Sequence, residues 1–188
     1  CEDVEDLLQR NSDGSLRWQT MQGWPYRTYR GCMCNPQWLE AVKAMVRKGI
    51  EIGLDGFNAT HHYESFCHCQ HCCEYVRSYL PTRLEEEQLH RIFGSADLEQ
   101  VSDPFTAKSD CPEDLQARLE LLLSQGAVLR RKESFDEIFT QYDRALKPGL
   151  LLAQWYHKYD FKPIDERCLL PKELWAKGED YIWYSQGR

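Results

Sequence analysis

The sequence predicts an α/β fold in which helices alternate with parallel strands. Segments with helical periodicity alternate with short apolar runs of strand length at residues 54–59, 150–155 and 180–185. No short hairpin turn joins two of these runs, and parallel strands require long crossover connections. A chain of 188 residues with 42% hydrophobic residues can also bury a sizeable core. Disorder is therefore not expected.

The first helix is predicted to begin at Asn35-Pro36, after a long irregular loop over residues 11–34 that is rich in turn formers and aromatic residues. Asn is a good N-cap, and Pro suits the first helical position, where the backbone N–H has no intrahelical acceptor. The helix is expected to end at Gly53 and to lead directly into the strand at 54–59. Its apolar stripe comprises Trp38, Leu39, Val42, Met45, Val46 and Ile50.

The second half of the chain continues the alternation. A helical face follows the cysteine cluster until Pro81, and a further helix is expected over residues 83–93. Residues 94–111 are polar and predict a surface excursion. Residues 112–146 suit one long helix or two helices joined near Gly126. The strand at 150–155, a short helix near residues 171–176 and the strand at 180–185 complete the pattern.

The charge and the apolar pattern exclude two classes of partner. The formal net charge of −7 leaves no broad basic face, so a nucleic-acid partner is not expected. No stretch approaches the roughly 20 consecutive apolar residues of a membrane span, so the chain is expected to be soluble. It begins with Cys1 and stops directly after a predicted strand, which suggests a fragment at both ends.

The chain has nine cysteines, an odd and high number, and most of them fall in two tight clusters. A chain of this size does not need disulfides for stability, so the clustering favours metal binding in a reducing, cytoplasmic compartment. Cys67, Cys69 and Cys72 have the spacing C-x-C-x2-C, which allows three thiolates to converge on a tetrahedral zinc ion. Cys34 is the expected fourth ligand, with Cys32, His68 and His71 as alternatives. Unligated thiols or disulfides are the competing interpretation.

Residues 31–80 resemble the zinc-binding region of the glycoside hydrolase family 42 β-galactosidases and related glycosidase barrels. The resemblance rests on Cys34-Asn35-Pro36, the helix to Gly53, Leu54-Asp55-Gly56-Phe57 and the three cysteines that open the next helix. It implies a structural zinc ion bound by Cys34, Cys67, Cys69 and Cys72.

The same resemblance implies the architecture, namely a partial (β/α)8 TIM barrel with parallel strands and a cysteine-rich zinc loop. Residues 1–188 would then form a fragment of that barrel, with the zinc-site region at 31–80 and later β/α units at 112–188. A complete barrel usually needs about 250 residues, so the remaining strands would lie outside this chain.

The chain departs from the family at the position of catalysis. The family's general acid/base Glu follows an Asn at the end of the fourth strand, where this chain has His61-His62. Retaining glycoside hydrolysis ordinarily uses two carboxyl groups about 5 Å apart. His62, because an imidazole exchanges protons near neutral pH, and Glu64 nearby are the catalytic candidates. The strand of the nucleophile would lie outside the chain.

Other polar and aromatic residues at predicted strand ends are candidates for binding a sugar, because aromatic faces stack on sugars and amides or imidazoles bind hydroxyl groups. These candidates are Asn58, His61, Trp155, His157, Tyr184 and Gln186. Three functions remain open: hydrolysis of a β-linked sugar, carbohydrate binding without catalysis, and a zinc-dependent protein-interaction module. The expected partner is a carbohydrate, and a homo-oligomer is also left open.

Overall fold

The computed structural model describes residues 4–20, 23, 25–60, 66–105, 111–157 and 177–185, with the backbone alone at residues 60, 155–157 and 183–185. The chain divides into two compact units. Unit 1 contains Cys1–Trp38 and Ser65–Gly126, and unit 2 contains Leu39–Glu64 and Ala127–Arg188. Each unit is built from two stretches that are distant in sequence.

The regular elements alternate as the sequence predicts over most of the chain. In order they are β1 (Trp18–Thr20), β2 (Arg27–Tyr29), α1 (Pro36–Glu51), β3 (Gly56–Thr60), α2 (Gln70–Tyr79), α3 (Glu86–Phe93), α4 (Glu113–Phe135), β4 (Leu151–His157) and β5 (Tyr181–Ser185). Short 3₁₀ helices span Val4–Leu7, Leu80–Thr82 and Leu98–Gln100. A π-helix at Asp136–Asp143 and a helical turn at Arg144–Leu146 prolong α4. The predicted helix near residues 171–176 lies outside the described residues.

The start of α1 confirms the predicted cap. The backbone N–H of Gln37 donates to Asn35 Oδ1 at 2.9 Å, and Pro36 is the first helical residue. The side-chain amide of Asn35 also donates to the carbonyl of Asp6 at 3.0 Å, which ties the cap to the N-terminal segment. The predicted apolar stripe is confirmed at Leu39, which is buried.

Unit 1 contains an antiparallel hairpin within the segment 11–34, for which the sequence predicts an irregular loop. Trp18 pairs with Tyr29 and Thr20 with Arg27, and the turn between the strands includes Gly23 with φ of 83°. Each strand is only three residues long, so the alternation of polar and apolar residues is too short to register as a strand pattern.

The core of unit 1 lies where α2, α3 and the first part of α4 contribute apolar side chains. Val76, Leu80 and Leu119 are fully buried within it. Gly126 of α4 lies against the ring of Tyr79, where a Cβ atom would come within 2.8 Å of the ring. Glycine therefore permits a close approach of two helices here. Among the described residues, no helix is both long and apolar enough to cross a membrane.

Unit 2 contains a three-stranded parallel sheet in the order β3-β4-β5. Its apolar core is formed by Phe135, Leu150 and Leu152, against which Phe57 and Phe139 pack. These residues come from both chain stretches of the unit, so the sheet joins the two stretches. The sequence therefore predicted the three parallel strands to within two residues at each end.

The expected partial (β/α)8 TIM barrel is wrong, although the α/β class is confirmed. The described residues form five strands in two small sheets, three parallel and two antiparallel, with four main helices. In the order β3-β4-β5, the outer strands β3 and β5 each have one described neighbour, so this sheet is open. A barrel requires its strands to close on themselves.

Two ion-pair anchors hold the start of β5 within unit 2. Lys132 of α4 lies 2.9 Å from Glu179 Oε1, and its Nζ also donates to the carbonyl of Lys177. Arg144 donates to Asp180 Oδ2 at 2.7 Å, and the backbone N–H of Leu152 donates to the same oxygen at 2.8 Å. These bonds hold residues 177–180, which lead into β5, in place.

Asp143, at the end of the π-helix, is a fully buried carboxyl group whose two oxygens accept no hydrogen bond from the described residues. Burial raises the pKa of Asp143 to about 7. The folded chain therefore retains the proton up to neutral pH, whereas the unfolded chain loses it near pH 4. This side chain destabilises the fold progressively as the pH rises between these two values.

Replacing Asp143 with Asn is expected to remove this pH-dependent destabilisation. The stability of the wild type relative to Asp143→Asn should fall by up to about 1.4 kcal/mol per pH unit between about pH 4 and 7, and then level off. Urea unfolding of both proteins across this range measures the difference. If the free energies of unfolding of the two proteins change in parallel with pH, the carboxyl group of Asp143 is solvated in the folded chain.

Asp180→Asn provides a comparison of opposite sign. The backbone hydrogen bond from Leu152 is the main cause that lowers the pKa of Asp180. The contribution of the Asp180 carboxylate to stability is therefore fully present above the pKa of the unfolded chain, near 4. It is lost as the pH falls through the lower pKa of the folded chain. This variant should be less stable than the wild type by a constant amount between pH 5 and 8.

Candidate metal centre

Four cysteine sulfurs meet in unit 1 at the position where the sequence predicts a metal site. The ligand atoms of Cys32, Cys67, Cys69 and Cys72 all lie within 4.8 Å of one another. Cys32 Sγ lies 3.4 Å from Cys69 Sγ and 3.5 Å from Cys72 Sγ. Cys67 Sγ lies 3.7 Å from Cys32 Sγ and 3.5 Å from Cys72 Sγ. We call these four residues the cysteine group.

Four of the six sulfur–sulfur distances in the cysteine group approach the edge length of a coordination tetrahedron. With metal–sulfur bonds of about 2.3 Å, the sulfurs of a tetrahedral site lie about 3.8 Å apart. The distances of 3.4 to 3.7 Å are close to this value. They are far longer than the roughly 2.05 Å of a disulfide bond, and all four cysteines are free thiols. The arrangement is therefore compatible with a metal site.

The cysteine group is largely shielded from solvent. Cys32 and Cys67 are 2% exposed and Cys72 is 3% exposed, whereas Cys69 is half-buried. Four ligands that are largely buried leave little room for a water molecule or a substrate in the coordination shell. Catalytic zinc sites, in contrast, keep one coordination position open to solvent.

The N-terminal segment holds the two cysteine-bearing stretches together through its backbone. The N–H of Cys32 donates to the carbonyl of Leu7 at 2.9 Å, and the N–H of His68 donates to the carbonyl of Arg10 at 3.0 Å. The backbone N–H of Arg10 also hydrogen-bonds the sulfur of Cys67. N–H groups directed at ligand sulfurs orient the ligands and favour the thiolate form. One short segment thus positions ligands from both stretches.

The start of α2 supplies two further cysteines of the group. Cys69 is the N-cap residue of this helix, and Cys72 lies in its first turn. The N-terminus of a helix carries a partial positive charge, which favours thiolates over thiols. The sequence places both cysteines where the helix dipole supports metal coordination.

The protons of the cysteine group are shared unequally, because adjacent thiolates repel one another. Hydrogen bonds from the other three thiols of the group, first that of Cys32, hold the pKa of Cys67 well below its usual range. A hydrogen bond with Cys34, followed by one with Cys67, raises the pKa of Cys32 to about 12. A bound divalent cation would replace protons of the cysteine group and stabilise several thiolates together.

The structure places Cys32, which the sequence left as an alternative, with the three cysteines of the C-x-C-x2-C segment. Cys34, the expected fourth ligand, is half-buried and is not one of the four residues whose ligand atoms lie within 4.8 Å of one another. Spacing cannot distinguish two cysteines separated by one residue. The distinction comes from the backbone bond between Cys32 and Leu7, which no local sequence pattern reveals.

Neither histidine alternative belongs to the cysteine group. The Nδ1 atom of His68 lies 3.1 Å from Asp103 Oδ2, and the Nδ1 atom of His71 lies 3.7 Å from Glu74 Oε2. His68 instead lines a cavity of about 300 Å³ together with Phe66. Arg17 and Phe105 also line this cavity, and the sequence analysis assigned no role to either of them.

The catalytic candidates His62 and Glu64 lie outside the described residues, as do His61 and Gln186. Asn58 is exposed on β3 and pairs in register with Ala153. The backbones of Trp155 and His157 lie in β4, and that of Tyr184 lies in β5 opposite Tyr156. Asn58 is the middle residue of β3, whereas Trp155, His157 and Tyr184 lie in the carboxyl-terminal halves of β4 and β5. Their roles in binding a sugar stay predictions.

No family model, curated protein or solved structure matches this chain. The resemblance to glycoside hydrolase family 42 therefore stays a prediction based on the residues that suggested it. The function has to be argued from the cysteine group and the parallel sheet.

Proposed function

We propose that the cysteine group binds one zinc ion whose role is structural. The observation that carries this proposal is the convergence of four sulfurs, three of them at most 3% exposed, at distances near those of a thiolate tetrahedron. Sites with four sulfur ligands in a tetrahedron select zinc or iron. Four thiolates and little solvent access favour structural zinc over a catalytic ion.

The ion would stabilise a part of unit 1 that has little apolar core of its own. The segment from Leu7 to Cys32 contains the two short strands of the hairpin, on which Trp18 and Tyr29 are exposed. It is attached to the segment before α2 by backbone hydrogen bonds around the cysteine group and by the Arg17 guanidinium, which donates to the carbonyl of Phe66 at 3.2 Å. A metal ion held by both stretches would link them at a single point. The zinc ion would thus take the place of apolar packing in this part of unit 1.

Metal analysis of the purified chain tests this proposal. We expect one zinc ion per chain in the wild type and less than a stoichiometric amount in Cys32→Ser and Cys67→Ser. Cys34→Ser and Cys111→Ser should retain zinc, and Cys111 serves as a control because it is half-buried outside the cysteine group. One iron atom per chain would support the site and overturn the choice of zinc. Retention of zinc by Cys32→Ser would overturn the ligand set.

A second candidate function is carbohydrate binding in unit 2. It is favoured by the parallel order β3-β4-β5, because ligands of open parallel sheets bind outside the carboxyl ends of the strands. Asn58, Trp155 and Tyr184 occupy the three adjacent strands. The predicted hydrolysis of a β-linked sugar would require His62 or Glu64 at the same edge.

A panel of sugars separates the carbohydrate hypotheses. Turnover of aryl β-glycosides that is lost in Glu64→Gln or His62→Ala would support hydrolysis, whereas binding without turnover would support a carbohydrate-binding protein. The absence of both would overturn this candidate and leave the metal centre unaffected. The third hypothesis, a zinc-dependent protein-interaction module, gains no support, because no large exposed apolar side chain occurs among described residues 67–80.

A further inference from the structure

Unit 1 contains a cavity of about 300 Å³ that the proposed metal centre does not use. Arg17, Phe66, His68 and Phe105 line it together with residues of α4. Small-molecule sites in proteins have volumes of about 300–1,000 Å³, so this cavity is at the lower end of the range. A ligand that fits it is therefore small.

The aromatic part of the cavity wall is held in place by ring contacts. Phe66 is 8% exposed, and the centroid of its ring lies 5.9 Å from that of Phe105 and 5.5 Å from that of Tyr75. The ring of His68 meets that of Phe105 edge-on at 5.0 Å, and His68 Nδ1 lies 3.1 Å from Asp103 Oδ2. These contacts form an apolar surface that is ordered before a ligand arrives, which lowers the cost of binding.

One face of α4 forms another part of the wall. Glu120, Leu123 and Ser124 line the cavity, and their spacing of three and four residues places them on the same side of the helix. Leu123 is half-buried, whereas Glu120 and Ser124 are exposed. The cavity therefore has an apolar interior and a polar rim that solvent reaches.

Two groups of opposite charge line this cavity. Arg17 lies just before β1, and its guanidinium donates to the carbonyl of Phe66 at 3.2 Å. A guanidinium has five N–H donors, so it can keep this bond and also bind a carboxylate. Glu120 contributes a carboxylate, which accepts hydrogen bonds from an ammonium group. The cavity thus offers a partner to both charges of a zwitterion.

We propose that this cavity binds a free α-amino acid with an apolar side chain. Arg17 binds the carboxylate of the ligand, Glu120 binds its ammonium group, and its side chain packs against Phe66, Phe105 and Leu123. An amino acid combines the small size, the two charges and the apolar group that the cavity wall matches. The proposal does not depend on which ion the cysteine group holds.

Calorimetric titration of the full chain with L-phenylalanine tests the class of ligand, and L-leucine serves as a second probe. Phenylpropionate lacks the ammonium group of L-phenylalanine, and phenethylamine lacks its carboxylate. We expect both amino acids to bind, and each analogue to bind about tenfold more weakly than L-phenylalanine, because one charged group of the cavity then has no ligand partner. Glycine should also bind more weakly, because it has no apolar side chain to bury.

Variants on the exposed face of α4 locate the site without removing a buried side chain. Ser124→Trp places a large ring at the rim and should abolish the binding of L-phenylalanine. Glu120→Gln should weaken this binding about tenfold. Gln116→Trp is the matched control and should bind like the wild type, because Gln116 is exposed on the same helix and is not among the described residues that line the cavity.

Arg17→Gln separates recognition of the ligand from support of the fold. This variant should weaken the binding of L-phenylalanine about tenfold and leave the binding of phenethylamine unchanged, because phenethylamine has no carboxylate. An equal loss for both ligands would show that Arg17 only positions Phe66, and it would overturn the assignment of the carboxylate to Arg17.

Three further results would overturn the inference. If neither L-phenylalanine nor L-leucine binds, the cavity is not an amino-acid site. If phenylpropionate or phenethylamine binds as tightly as L-phenylalanine, the ligand is not selected as a zwitterion. If Ser124→Trp binds L-phenylalanine like the wild type, the amino acid binds outside this cavity.

Discussion

Cys67→Ser is expected to lose the metal ion and to release the N-terminal segment of unit 1. Cys67 is 2% exposed, and its sulfur accepts the backbone N–H of Arg10. Structural zinc contributes about 10–16 kcal/mol of apparent free energy in small zinc-binding peptides. A loss of even a fraction of this value is large against the net stability of about 5–15 kcal/mol that is usual for a folded domain.

In Cys67→Ser, we expect the structure around the cysteine group to be lost before the rest of the fold. The amide hydrogens of Gln9, Cys32 and His68 donate to carbonyl groups in backbone bonds that join the segments around the cysteine group. These amides should exchange with solvent much faster in Cys67→Ser than in the wild type. The amides of α3 should keep more of their protection, because Leu89 and Ile92 belong to the apolar core. Hydrogen exchange with mass spectrometry measures both regions in one experiment.

Cys111→Ser and metal chelation provide the controls for this prediction. Cys111→Ser removes a half-buried thiol in unit 1 outside the cysteine group and should leave exchange unchanged. Treatment of the wild type with a strong chelator should reproduce the effect of Cys67→Ser without any mutation. Unchanged exchange in both Cys67→Ser and the chelated wild type would show that the ion has no structural role.

The sequence predicted those features that depend on neighbouring residues. Asn35 and Pro36 define the start of α1 by their own backbone chemistry, and the structure confirms both. The apolar run before Trp155 could be assigned to a parallel strand because buried strands are continuously apolar. The hairpin at Trp18–Thr20 was missed because three residues carry too little pattern, and the barrel was inferred from a resemblance, not from these patterns.

Features that depend on tertiary contacts could not be read from the sequence. Met45 fits the apolar stripe of α1 by spacing, yet it is 59% exposed, since only contact with other elements decides which residues of a stripe are covered. The choice between Cys32 and Cys34 depends on a backbone bond to Leu7. The burial of Lys132 depends on Glu179, which lies 47 residues away in the sequence.

Lys132→Met is expected to destabilise unit 2 by about 3–5 kcal/mol, the cost of removing one partner of a buried ion pair. Lys132 is 1% exposed, and its ammonium lies 2.9 Å from both Asp136 Oδ1 and Glu179 Oε1. The Glu179 side chain is fully buried, so Met leaves its carboxylate without the ammonium in an environment that solvates charge poorly. Urea unfolding at pH 7 measures the loss.

Lys48→Met is the matched control, because Lys48 is 72% exposed and pairs with an exposed carboxylate of Glu51 at 3.2 Å. Exposed pairs of this kind contribute about 0–1 kcal/mol, so the variant should remain close to the wild type. Adding Glu179→Gln to Lys132→Met should restore part of the stability, because the amide removes the buried charge. If Lys132→Met and Lys48→Met are equally stable, water solvates the Lys132 cluster in solution, and the anchor of β5 must come from Arg144 and Asp180 instead.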